Sequence, residues 1–197
     1  MPYSNSLFNV TSDLGSGYDR LRVDVGQTGF FEGREFRSFY EFSADTSNAI
    51  AVGASVYIRF SCAVDFVLQK LALNVDKGGI RAQNIIAPTP SGSWTDLTVL
   101  GKNRSATRRS PFYTTQASFS FGGSFTGGTL ADVLRARSAS QTVSATNAGS
   151  NIDTERLLPA GSYYILLKPL TGVNDPSEGL LTIEWEERPV NYWGPTE

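Results

Sequence analysis

Three glutamates, Glu184, Glu186 and Glu187, stand together in the segment GLLTIEWEE, and acid–base chemistry would begin with them. Glu184 and Glu186 are two residues apart, so on a strand they share a face, as a general acid and its partner carboxylate must. The plainer alternative is a solvated face opposite Ile183 and Trp185, because alternating polar positions on a strand need no further cause. What is missing narrows the rest. The 197 residues include no His, which removes Ser-His-Asp and Cys-His centres, His-ligated zinc and a His pH switch. The single Cys, Cys62, can close no intrachain disulfide and supplies no cysteine cluster for a metal. Any catalysis would therefore run on carboxylates, Tyr, Lys or a bound cofactor. No residue set assigns a catalytic, metal or cofactor site, and the chain reads as a non-enzyme without a cofactor.

The other charged groups suggest contact rather than catalysis. Glu32 and Glu35 flank a glycine beside Arg34 and Arg37, a pattern of local ion pairs worth little where exposed. DLGSGYD, residues 13–19, has two acids separated by glycines but lacks the dense acid spacing and terminal Glu of an EF-hand loop. Lys102, Arg104, Arg108 and Arg109 crowd into GKNRSATRRSP, which fits either a solvated loop or contact with phosphate or an acidic neighbour. A net charge of −2 and the lack of aromatics in that loop argue against nucleic acid. Aromatics are dense at residues 30–42. If Phe36, Tyr40 and Phe42 face inward, Arg37 and Phe39 face the other way, and aromatics with Arg are common interface anchors. Phe8 and Val10 on a polar leading segment, and Tyr192 and Trp193 on the Pro-flanked tail, are hard to bury internally. The candidate protein-interface residues are thus Phe8, Val10, Arg37, Phe39, Arg104, Arg108, Arg109, Tyr192 and Trp193.

The elements that must position these groups read as strands. LRVDV alternates from Leu21; Ile50, Val52, Ala54, Val56, Ile58 and Phe60 keep a period of two, and Cys62, Val64, Phe66 and Leu68 continue it. That run is too long for one strand, so a break is expected at residues 61–65. The phase then flips to Leu71, Leu73 and Val75, which predicts a bulge or a corner between sheets. DKGG marks a turn and GIRAQNIIA a strand. Short strands are expected at residues 94–100 and 117–121 within a loop-rich middle. TLADVLRAR, residues 129–137, has helical spacing, and residues 138–151 read as a long mobile loop. Strands return in GSYYILLKPL and GLLTIEWEE. Roughly eight to ten short strands with almost no helix predict an all-β chain, a single jelly-roll-like β-sandwich over residues 20–188 with arms at 1–19 and 189–197. No basic, apolar leader is visible, and residues 49–60 are too short and interrupted to span a bilayer, so no membrane partner is expected.

The strings TGFFEGREFR, DKGGIR, RRSPFY, PAGSYY and WEERP, in this order, resemble a family of structural proteins of tailed bacteriophages and prophages. The resemblance implies a virion protein made in the bacterial cytoplasm, with no catalytic residues to carry over. Small sandwich proteins of this kind decorate or cement the capsid, which implies the head surface as location. The implied partners are the major capsid protein and copies of the chain itself, as a trimer rather than a dimer. The alternative is a tail, fibre or adaptor component binding another tail protein or host glycan, for which Trp94, Tyr113 and Trp193 would offer stacking surfaces.

Overall fold

The computed structural model describes residues 33–102, 113–138, 148–152 and 156–189, and twelve strands and no helix lie among them. They are β1 (Glu35–Phe42), β2 (Val56–Cys62), β3 (Asp65–Lys77), β4 (Gly79–Ile86), β5 (Thr89–Leu97), β6 (Leu100–Gly101), β7 (Ala117–Thr126), β8 (Thr129–Arg137), β9 (Ala148–Ile152), β10 (Arg156–Leu158), β11 (Gly161–Pro169) and β12 (Glu178–Arg188). All pairings are antiparallel. The first sheet runs β10-β3-β12-β1-β6, with β9 also on β3, and the second runs β5-β7-β2-β11-β4-β8. The two sheets pack face to face, so the chain is an all-β sandwich.

Alternation builds the core. Leu181, Ile183 and Trp185 of β12, with Phe66 and Leu73 of the neighbouring β3, face Phe60 and Cys62 of β2, Ile80 of β4 and Leu167 of β11 across the interior. Trp185 is fully buried and its ring stands edge-on to Phe60 at 4.9 Å between centroids, an arrangement favoured by ring quadrupoles. The break expected near residues 61–65 is a change of sheet: β2 ends at Cys62 and β3 starts the other sheet at Asp65. The phase flip is also real. Glu184 pairs with Lys70 and Trp185 with Leu68, so Gln69 is the extra residue of a bulge that lets both halves of β3 turn apolar side chains inward. The DKGG turn is a second sheet-to-sheet corner, where Gly78 holds φ +74° and a Cβ would meet Ser177 Oγ at 2.6 Å.

Three expectations need correction. Residues 129–137 form strand β8, not a helix: Leu134 and Ala136 face the core while Val133 is exposed, a period of two imposed by pairing with β4, and a bulge at Ala131 turns Leu130 outward as well. Residues 148–152, expected to be loop, form β9 on the edge of β3. The run from Ile50 is not a strand until Val56; Val52 is exposed, and Ile50 makes only an isolated bridge to Ser177.

The glycines at 122 and 123 are part of a strand. The β5–β7 pair, joined through β6 of the other sheet, bulges between Ser91 and Trp94, and Trp94 and Phe125 lie against Tyr164 on the outer face of the second sheet. Trp94 thereby reaches Tyr164, three strands away, at 6.2 Å between ring centroids, and Arg59 lies over the indole at 4.9 Å. Gly123 holds φ +49°, and a Cβ there would press on the Trp94 indole at 2.6 Å.

Candidate functional site

The start of β1 and the end of β12 lie side by side, because Glu35 pairs with Glu186. Beside them β6 ends at Gly101, where the Lys102 N–H donates to the Glu35 carbonyl at 2.8 Å. Residues 113–116, which lead into β7, close the group: the Thr115 hydroxyl donates to Glu187 Oε1 at 2.6 Å and the Gln116 N–H to Oε2 at 2.8 Å. One end of the sandwich thus gathers four stretches of chain. Residues 1–32, 103–112 and 190–197 all join the described structure there.

Charged side chains fasten this end, and they are buried. Arg34, Glu35, Glu186 and Glu187 are all enclosed, contrary to the expectation of a solvated glutamate face. Glu187 has no exposure at all, and a third donor, the Trp185 indole N–H, reaches its Oε1 at 3.1 Å. A buried carboxylate persists when its lone pairs are filled in this way. Glu186 Oε2 accepts from Arg188 at 3.1 Å, while Oε1 faces Arg34 Nη1 at 3.8 Å, beyond hydrogen-bond reach. Burial pushes the Glu186 carboxyl above the usual range, against the pull of Arg188 and Arg34. The Arg34 guanidinium also donates to the Glu187 carbonyl at 3.1 Å.

Lys102 is the second knot. Its ammonium stands 3.1 Å from both Glu35 and Glu184 and donates to Gln69 Oε1 at 2.9 Å. Burial alone would lower its pKa, but the hydrogen bonds and charges of Glu35 and Glu184 outweigh that and hold it up. Lys102 is therefore a structural cation rather than the first charge of a solvated loop. Behind the knot, Tyr113 packs on Phe36 at 6.2 Å; its hydroxyl pKa is raised by burial and then by the Glu187 charge. Burial likewise pushes the Cys62 thiol up to about 11, which leaves it protonated and unreactive at neutral pH.

This arrangement binds chain to chain. Glu184 is engaged by Lys102 and Glu187 by its three donors, so neither is placed as a free acid or base. Among the described residues, no group of three or more His, Cys, Asp or Glu is placed to hold a metal ion. An apolar cavity of about 170 Å³ opens between the sheets beside Phe66, Ile165 and Tyr163, and the Arg156–Asp132 pair lies at its lining.

Of the nine candidate interface residues, Arg37 and Phe39 are described. Both lie on the outer face of the first sheet, as expected from their phase, with Phe39 42% exposed. Phe8, Val10, Arg104, Arg108, Arg109, Tyr192 and Trp193 lie outside the described residues. Trp94 and Tyr113 do not form a common stacking surface: Trp94 covers Tyr164 on the outside of the second sheet, while Tyr113 packs on Phe36 at the core. Sequence reasoning missed the buried lattice of Arg34, Lys102, Thr115, Glu186 and Glu187. One signal pointed to it: WEER places three polar residues in succession where strict alternation would stop. No family model, curated protein or solved structure matches the chain.

Proposed function

We propose that the protein is a bacteriophage virion structural protein, a capsid decoration or cement subunit that packs between capsid proteins and against copies of itself. The observation that carries this reading is that Gly33, Lys102, Tyr113 and Pro189, the described residues to which residues 1–32, 103–112 and 190–197 attach in sequence, lie at one end of the sandwich. These segments hold seven of the nine candidate contact residues, and they leave from a base held by buried charge. Three of the strings that resemble phage structural proteins supply that base: GFFEGREFR gives Arg34 and Glu35, RRSPFY gives Tyr113, and WEERP gives Glu186, Glu187 and Arg188. A stiff base reduces the ordering cost when attached segments bind a neighbour.

Strand order adds support for a jelly roll. With β5–β7 set aside, β1-β12-β3-β9/β10 faces β2-β11-β4-β8, the double Greek-key arrangement common among capsid-type sandwiches. In this reading β5–β7 is an insertion that widens both sheets. A subunit that binds only the assembled lattice stabilises it by mass action, and repeated contact about a symmetry axis follows. The test is copy number: quantitative mass spectrometry of purified particles, with this protein compared to the major capsid protein. Comparable stoichiometry supports a shell subunit. A handful of copies moves the protein to the tail or its adaptor, and absence from the particle overturns the reading.

A further inference from the structure

The outer face of the second sheet carries a row of cations. Lys168 of β11 pairs in register with Arg81 of β4, and Arg81 with Arg135 of β8, so three cationic side chains stand side by side across three strands. Their chain neighbours Leu167, Ile80, Ala82, Leu134 and Ala136 are buried in the core, which by the period of two turns all three outward. Arg137 lies two residues beyond Arg135 on the same face. Adjacent strands are about 4.8 Å apart, so the row places its charges within roughly 10 Å. None of the four closes an ion pair among the described residues. The nearest carboxylates are occupied or lie aside: Asp132 is held by Arg156 at 2.7 Å, and Asp175, in the loop bordering Arg137, makes no ion pair with it.

Like charges directly opposed across a sheet work against folding. A chain of net charge −2 has carboxylates enough to avoid such a row, so its position calls for an anionic surface outside the fold. The neighbouring rows indicate what kind. Next to the cations come Leu166, Gln83 and Val133, then Tyr164, Ile85 and Leu130, with Val133 and Leu130 exposed. Apart from Gln83 and Tyr164 this band is aliphatic. Its one aromatic, Tyr164, is buried beneath Trp94 and Phe125 and offers no ring on which a base could stack. A twofold contact with another copy through this face would bring cations against cations.

We propose that the β11–β4–β8 face is a docking surface for a second protein whose contact patch carries closely spaced carboxylates beside aliphatic side chains, with Lys168, Arg81, Arg135 and Arg137 meeting the carboxylates. For the partner's place in a particle this rests on the structural-subunit reading; the surface chemistry itself is tested apart from it. The assay is fluorescence anisotropy of the full chain with three probes over a salt series: a synthetic peptide alternating Glu and Leu, a duplex DNA oligonucleotide, and phosphatidylserine vesicles. The peptide is expected to bind with marked salt dependence and to bind better than either other probe. The combined K168E, R81E and R135E variant should lose about tenfold or more in peptide affinity. The single variant R81E sets one carboxylate between two cations, so it should weaken binding several-fold while melting at or above the wild-type temperature. That separation of affinity from stability guards against a folding artefact. No peptide binding at low salt, unchanged binding by R81E, or stronger binding of DNA or vesicles would each overturn the proposal. Particle copy number bears on none of these outcomes.

Discussion

Replacing Glu187 by Gln keeps its size and shape and removes only an acceptor and a charge, so it isolates the fastening described at the strand ends. Three donors converge on the carboxylate: the Thr115 hydroxyl and the Trp185 indole on Oε1, and the Gln116 N–H on Oε2. A glutamine has one oxygen. With that oxygen facing Thr115 and Trp185, its own NH₂ confronts the Gln116 N–H; flipped, it confronts the indole N–H. Either way one buried donor loses its acceptor, at a cost of about 1–3 kcal/mol. The surviving bonds lose the assistance of a charge, roughly another 1 kcal/mol. The sum is about 2–4 kcal/mol. For a chain of this size that corresponds to a fall in melting temperature on the order of 4–16 °C. Urea denaturation followed by tryptophan fluorescence and circular dichroism measures it, as a lower midpoint at unchanged slope. Glu41→Gln serves as the control, since Glu41 is exposed and accepts only from Ser43, and it should stay within about 0.5 kcal/mol. If Glu187→Gln also stayed within about 0.5 kcal/mol, the reasoning that makes this carboxylate the central fastening would be refuted.

Two further outcomes follow from the same structure. Because burial raises the Glu186 pKa, the folded state holds that proton above the ordinary carboxylate range, and the stability this contributes is lost as pH rises through the raised value; the unfolding free energy of wild type minus that of Glu186→Gln should therefore increase between pH 7 and pH 5, and a decrease in paired denaturation curves would contradict the assignment. Gly123→Ala must either move the Trp94 indole or strain a φ of +49°, so it should cost about 1–3 kcal/mol and shift tryptophan emission, and an unchanged spectrum and midpoint would mean the Trp94 indole does not lie between Gly123 and Tyr164 as described.

Much of the fold was legible because period-two alternation is a local signal. Leu71, Leu73 and Val75 could be assigned a flipped phase without knowing their partner, and the bulge at Gln69 is the form that flip takes. The reading of residues 129–137 failed for the opposite reason. Leu130, Val133 and Leu134 have helical spacing, but β4 offers a paired edge, and tertiary pairing overrides local propensity. The strand-end lattice was illegible for a third reason. Alternation turns Glu186 outward with Glu184 and sets Glu187 on the core face with Trp185, yet neither meets water, because Arg34 and residues 113–116 close over them from distant parts of the chain. Only the order in space reveals that cover.

The pairing of β1 with β12 also has a mechanical side. Their outer ends lie at the same edge of the molecule, so tension applied through residues 1–32 and 190–197 would peel the two strands apart like a zipper, one register pair at a time, instead of shearing all their hydrogen bonds together. Peeling is the weaker geometry, and it would start at Glu35 and Glu186. That is where Lys102 clamps Glu35 and where Arg34 and Arg188 close around Glu186. The buried ions therefore sit at the tab of the zipper, where a chain pulled from these two ends would otherwise begin to open.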